Sequence, residues 1–387
     1  MKKLLFAAAV ITAMASCSNN EIIDVNPGEG ISFRTSLDKA TRTNAANVTT
    51  LENLSEFKVA GIGNGATYMP ELLVSKSGSA WNTASTYYWP AYDLNFFAYA
   101  PKDLGTGTAT LSHTAQTISG FAPAADIAEQ KDLLISYNTG NKTSNEVNGV
   151  EMNFKHALSQ IEIKAKCSNP NIKIEVKGVR IVNAGRKADF TFPTEVTNST
   201  YTLPQAKWSN LQDKDTKEAY KVKGENIVEL TSSAQSIMFG QKNFMLIPQQ
   251  LTAWAGKGHT TGAYISVLCR IYSKSGSEEI LLYPKTSPAT RASVILPEQT
   301  MYAYASVAID TNWEPGKKYI YTLDFCSSTN SGGAGLIDPN PDNTTDPEVD
   351  PNPKDGSEGG DPVLNGPIKF TVTVDNWVDE TKDIIMN

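Results

Sequence analysis

The chain is short of the residues that most chemistry and most covalent scaffolding require. It holds three histidines and four cysteines in 387 residues. No two histidines stand at metal-ligand spacing, and CxxC, HExxH and GxSxG are all absent, so zinc, dithiol and nucleophile-elbow chemistry have no starting point. The chain is therefore expected not to be an enzyme, and no cofactor is expected. After its first residues it has no apolar run near the roughly 20 residues that a membrane-spanning helix needs. It also lacks a basic face. Residues 331–367 hold eight acidic residues and one lysine, which accounts for the net charge of −7, and the rest is nearly balanced. That balance argues against nucleic acid as a partner.

Helical periodicity is scarce, and the period that dominates is two. Ile161-Glu162-Ile163-Lys164 and Ile172-Lys173-Ile174-Glu175-Val176-Lys177 alternate cleanly. Further strands are expected at 178–182, 263–272, 279–283, 301–309 and 318–325, bounded by Gly, Pro, Asn or Ser. Strands at this spacing indicate an all-β chain built of β-sandwiches. A natural break falls at Asn183-Ala184-Gly185, giving sandwiches at 43–185 and at 186–330 plus 368–387. Between the last two pieces, residues 331–367 contain seven prolines among Gly, Asp and Asn, and read as a solvated linker. Asp338, Asn340 and Asp342 imitate the start of a calcium loop, but Asn343 and Val349 stand where that loop needs Gly and a bidentate Glu. Gly61-Ile62-Gly63-Asn64-Gly65 lacks the lysine of a phosphate loop and reads as a tight turn. Cys167, Cys269 and Cys326 are odd in number and widely spaced, so no disulfide framework is expected; Cys167 and Cys269 share strand parity with core residues.

Both ends of the chain carry signals. Two lysines precede an apolar run from Leu4 to Met14, too short to span and right for the core of a signal peptide. It ends in Met14-Ala15-Ser16-Cys17, which resembles a bacterial lipobox. Residues 1–16 are then a lipoprotein signal, and Cys17 is the acylated residue that tethers the protein to a membrane by lipid. At the other end, Ile368, Phe370, Val372 and Val374 alternate with Lys369, Thr371, Thr373 and Asp375. A lone strand leaves its backbone groups unpaired, so this one is expected to add to a sheet, its own or a neighbour's.

The densest aromatic stretch runs from Tyr87-Tyr88-Trp89-Pro90 through Tyr92 to Leu94-Asn95-Phe96-Phe97-Ala98-Tyr99-Ala100-Pro101. Two strands joined by residues 90–93 would bury Trp89, Phe96 and Ala98; the competing reading is a sugar-stacking surface. This stretch is similar to a signature of the fimbrillin-like (Mfa-like) lipoproteins of Bacteroidetes. So are Met152-Asn153-Phe154-Lys155-His156-Ala157-Leu158-Ser159-Gln160-Ile161, Trp313-Glu314-Pro315-Gly316-Lys317-Lys318-Tyr319, and the final strand behind its acidic linker.

The resemblance implies two transthyretin-like Greek-key β-sandwich domains in tandem, in a subunit of cell-surface fimbriae that serves adhesion and biofilm. It implies an outer-membrane lipoprotein precursor from which an arginine-specific protease removes an N-terminal strand, leaving a groove for a strand of the next fimbrillin subunit. Here residues 17–42 would form the tether and the removable strand, with Ile31-Ser32-Phe33 as its apolar part. Arg42 is the first choice for cleavage and Arg34 the second. Ile368, Phe370, Val372 and Val374 are the residues for strand exchange, in cis or in trans. Shaft, tip and anchor subunits all fit. The alternative is a monomeric surface lipoprotein that binds a glycan or a host protein.

Overall fold

A computed structural model describes residues 30–37, 45–78, 80–196, 200–240, 242–285, 301–326, 334–341, 348–364 and 367–376. No helix among them is long and apolar enough to cross a membrane. The strands are Phe33–Leu37 (β1), Glu56–Gly63 (β2), Ala66–Ser77 (β3), Ala80–Thr83 (β4), Leu94–Ala100 (β5), Thr108–Leu111 (β6), Gln116–Phe121 (β7), Leu134–Gly140 (β8) and Val150–His156 (β9). They are followed by Ser159–Lys166 (β10), Ile172–Val182 (β11), Lys187–Thr191 (β12), Trp208–Gln212 (β13), Ala219–Glu229 (β14), Gln235–Ser236 (β15) and Phe244–Leu246 (β16). The chain closes with Tyr264–Ser275 (β17), Glu278–Tyr283 (β18), Ala303–Ala308 (β19), Lys317–Asp324 (β20), Leu336–Ile337 (β21) and Lys369–Asn376 (β22). The fold is all-β.

The first body is a closed barrel in the order β1-β4-β3-β2-β5-β8-β9. Asn64 and Gly65, both at positive φ, form the two-residue turn between β2 and β3, as the glycine-rich stretch implies. Phe96 and Ala98 of β5 fill the barrel with Phe57, Val59 and Phe154. The neighbouring Phe97 and Tyr99 point outward onto Phe121, Phe190, Phe192 and Trp208, which belong to a four-stranded sheet in the order β13-β12-β7-β6 or flank it. Covering both faces explains why β5 is buried without alternation from Phe96 to Ala100.

The second body is two sheets face to face, β15-β10-β20-β22 and β14-β11-β17-β19-β21, with β16 and β18 at their margins. Ile161 and Ile163 of β10, Ile174 and Ile181 of β11, Ile265 and Val267 of β17, and Tyr321 and Leu323 of β20 meet in one core. The bulge between Val176 and Gly178 shifts the register within β11. It moves the inward set from 174 and 176 to 179 and 181, so the separate strands expected at 172–177 and 178–182 are one bulged strand.

Three expectations change. The break at 185 does not separate the bodies: β10 and β11 already belong to the second, and β12 and β13 return to the first. Alternation locates strands but carries no information on which sheet each one joins. Residues 334–341 and 348–364 are not a solvated linker: Ala334, Ile337, Asp338, Val349, Asp350 and Val363 are buried. Cys167 and Cys326 form a disulfide with Cα atoms 4.7 Å apart, while Cys269 is a free, buried cysteine. The bridge forms because β10 and β20 pair in parallel, Lys166 beside Asp324, so both strands end at the same level.

Candidate functional site

Two marginal strands frame the candidate site, one at each end of the chain. β1 lies between β9, which it matches in parallel from Phe33 beside Val150 to Leu37 beside Phe154, and β4, where Phe33 faces Trp81. It is the strand that closes the barrel. Ile31 and Phe33 are buried, and the Phe33 ring meets Phe57 and Phe96 edge-on at 6.1 and 5.6 Å. The Ile31 amide donates to the Tyr87 carbonyl at 2.7 Å. Arg34 points outward and pairs with Glu151 at 2.9 Å. Its backbone sits inside the β1–β9 ladder, whereas Cys17 and Arg42 lie outside the described residues.

The chain that follows is pinned where the two bodies meet. Ala45 and Val48 are buried in the core that also holds Ala157, Leu158, Met245 and Ile247. Asn47 donates to the Asn243 carbonyl at 2.7 Å and accepts from its amide at 3.1 Å. The Thr49 amide donates to Asp132 Oδ2, which is also 2.8 Å from His156 Nδ1. His156 is thus the buried last residue of β9, at the strand transition where the sequence parity shifts.

β22 is an edge strand. It pairs antiparallel with β20 along its whole length, from Lys369 beside Asp324 to Asn376 beside Lys317. Ile368 is buried, and Phe370 and Val372 pack on the core. Val374 departs from the expected inward set, being 52% exposed near the open end of the strand.

What leads into β22 has a construction of its own. Between β20 and β22 the segments 334–341 and 348–364, here called the strap, extend the β11–β17–β19 sheet at its edge through β21, add Ala334, Ile337 and Val363 to the core, and set Asp338 and Val349 on the sheet's outer face. Asp338 is its anchor. The carboxylate takes Arg180 Nη2 at 2.8 Å and the Tyr264 hydroxyl at 3.0 Å, and it accepts from the Ser266 and Ser306 hydroxyls and the Asn340 amide. Arg180, itself buried, stacks 3.8 Å above the Tyr304 ring. Burial first, and the charge of Asp338 next, hold the Tyr264 phenol far above its ordinary range. A buried ion pair with this many donors satisfies the carboxylate fully, and removing either partner would strand the other.

The strap carries a repeat that composition hides: Ile337-Asp338-Pro339-Asn340-Pro341 and Val349-Asp350-Pro351-Asn352-Pro353. In both copies the aliphatic residue and the aspartate are buried, and the aspartate caps the amide two residues on. The Asp350 amide bonds the Tyr302 carbonyl and the Asp338 amide the Tyr304 carbonyl. Arg270 lies over the Tyr302 ring as Arg180 lies over Tyr304. Two like modules thus dock in succession along one strand.

The aromatic stretch divides. Phe96 and Ala98 are core, as expected, but residues 84–93 form no strand. Trp89 is half-buried against Phe96, and Tyr68 packs edge-on against Tyr87 and Tyr92 while Tyr88 is 40% exposed. The other signature residues also serve packing. Trp313 is fully buried and donates to the Tyr321 hydroxyl at 3.0 Å, and burial pushes that phenol up to about 12.

A family model described as fimbrillin-like matches residues 41–339. No curated protein matches the sequence. In structure the chain is similar to a fimbrial protein from Bacteroides vulgatus at 15% identity and a TM-score of 0.53, covering 91% of this chain and 100% of that one. It is also similar to a protein from Bacteroides eggerthii assigned to cell adhesion, at 18% identity and a TM-score of 0.46, covering 92% of this chain and 98% of that one. A match over most of the chain, joined to an all-β fold shared with a fimbrial protein, makes the conclusion plain: the chain belongs to the fimbrillin-like family.

Proposed function

We propose that this chain is a subunit of cell-surface fimbriae, exported as a lipoprotein acylated at Cys17, matured by arginine-specific cleavage and assembled by β-strand exchange. In this reading its two bodies act as the paired transthyretin-like domains of such a subunit. The observation that carries the proposal is the place of β1. It is short, it closes the barrel, and its Phe33, with Ile31 just before it, is buried in one core with Phe57, Phe96 and Trp81. Losing it would leave an apolar groove flanked by the free edges of β4 and β9, a template for another strand. Between the two arginines we favour Arg42, because of where Arg34 sits. Arg34 sits within a paired ladder that a protease cannot enter without unfolding it. A cut at Arg42 would leave the new N-terminus close to the anchored Ala45–Thr49 stretch. The Cys167–Cys326 disulfide supports an oxidising, exported setting. β22, with Ile368, Phe370, Val372 and Val374, is the donor in this scheme, and other fimbrillin subunits are the partners.

The test is to cleave the folded precursor with an arginine-specific protease and add a synthetic peptide of residues 368–377. The proposal expects the first cut at Arg42, loss of the β1 fragment and retention of the peptide. A first cut elsewhere, or a β1 fragment that no peptide displaces, contradicts it. A second reading, sugar binding by a monomeric lipoprotein, is favoured by one feature only, the partly exposed Tyr68, Tyr87, Tyr88 and Tyr92 group. Loss of glycan-array binding in Tyr88→Ala would support that reading.

A further inference from the structure

We infer that the strap is a latch: the seating of Asp338 on Arg180 sets how firmly β22 is held in its own sheet. The inference deepens the strand-exchange reading, since it names the step that would free the donor strand, but its geometry stands apart from assembly. Backbone hydrogen bonds link the Asp338 arm to the segment that precedes β22. Asp338 directly follows β21, whose Leu336 and Ile337 pair with Ser306 and Ala305 of β19. On the other side the same arm carries the approach to β22. The Ile337 amide bonds the Asp361 carbonyl at 2.8 Å, the Gly360 amide bonds Ile337 at 2.7 Å, and the Val363 amide bonds Gly335 at 2.9 Å. Ile368, immediately before β22, lies so close to Gly335 that a Cβ there would stand 2.8 Å from its Cδ1. The Gly335–Asp338 arm is therefore the sheet-side support of 360–363, and those residues deliver the chain to β22.

The arms also cross at a place built for contact. A Cβ on Gly359 would stand 2.4 Å from the Pro339 Cα, and one on Gly360 would stand 2.4 Å from the Lys257 Cα. Only glycine allows that crossing. The side chains beneath fit one purpose. Arg180, Tyr264, Ser266 and Ser306 all turn to the outer face, and all four bond the same carboxylate. β22 itself is paired on one side only, and within it Phe370 and Val372 are half-buried and Val374 is exposed. A strand held so lightly depends on what holds its approach.

Hydrogen exchange on the full-length chain tests the latch through two variants that act differently. Asp338→Asn removes the charge and keeps the shape. Gly359→Ala drives the arms apart and leaves the carboxylate in place. In both, amides of 370–374 should exchange at least about tenfold faster, because the approach to β22 is loosened, at the buried anchor in the first variant and at the crossing of the arms in the second. Amides of β5, β11 and β17 should keep their protection. Unchanged protection of β22 in both variants overturns the latch. So does an equal loss across β11 and β17, which would make Asp338 a general core stabiliser. An assembly assay on the same variants separates the two proposals: faster β22 opening without more polymer upholds the latch and counts against strand exchange.

Discussion

β1 and β22 each turn an apolar face inward at the margin of a body, yet they are held in opposite ways. β1 is enclosed. It has a strand on either side, its phenylalanine is locked among Phe57 and Phe96, and its departure opens a groove. β22 is applied. It lies on one edge, three of the four residues Ile368, Phe370, Val372 and Val374 keep some exposure, and its departure uncovers the edge of β20. What compensates for the weaker seat is the strap, which spends a buried ion pair and a repeated Asp-Pro-Asn-Pro module on fixing the approach. Enclosure stabilises through packing and is undone by cutting the chain; a latched edge can be undone by changing one anchor. That contrast suits an acceptor at one end of the molecule and a controllable donor at the other.

The contrast breaks most sharply under truncation. Ending the chain at Pro367 removes the fully buried Ile368 and the half-buried Phe370 and Val372. At roughly 1.5–3 kcal/mol for each fully buried side chain, the loss should be about 3–6 kcal/mol. It should fall on the second body alone, read as faster exchange in β20 and β10 with β5 unchanged. Equal loosening of β5 would show that the two bodies do not hold their marginal strands independently.

Phe33→Ala is the matching change at the other end. Emptying its place against Phe57 and Phe96 should lower stability by about 3–5 kcal/mol. Exchange should then quicken in β4 and β9 while β22 is untouched. If β22 also loosens, β1 and β22 are coupled, and the division of acceptor from donor loses its basis. A third change sharpens the comparison from the side of the covalent link. The disulfide joins residues 159 apart in sequence and ties the ends of β10 and β20, the strand that β22 pairs with. Replacing both cysteines with serine should cost about 2–5 kcal/mol, measured by thermal melting under oxidising conditions. Insensitivity of the melting temperature would mean that the bridge contributes nothing to the sheet that receives β22.

The contrast between the strands was only half legible in the sequence. Alternation at 161–164 and 172–177 located β10 and β11, because a strand with one buried face must alternate, and the apolar run at 263–272 located β17, which is buried on both faces. Ile31-Ser32-Phe33 pointed to the start of β1, which runs on through polar residues to Leu37. The strap was not legible through composition, since proline, glycine and aspartate read as solvated linker. Its signal was order rather than content: an aliphatic residue before each Asp-Pro-Asn-Pro, twice over, each pair buried. The disulfide was hidden for another reason. Parallel pairing of β10 with β20 is nonlocal, and nothing within either strand announces its partner. The break at 185 failed for the same cause, sheet membership being decided by contacts far apart in the chain.

The central claim is that β1 is removed at Arg42 to make the acceptor groove. N-terminal analysis of the protein taken from the cell surface tests it most directly. The account predicts chains in the assembled fraction that begin at Thr43, and precursor that accumulates unassembled when Arg42 is changed to Ala. Assembled chains that still begin at acylated Cys17, with β1 in place, would contradict it.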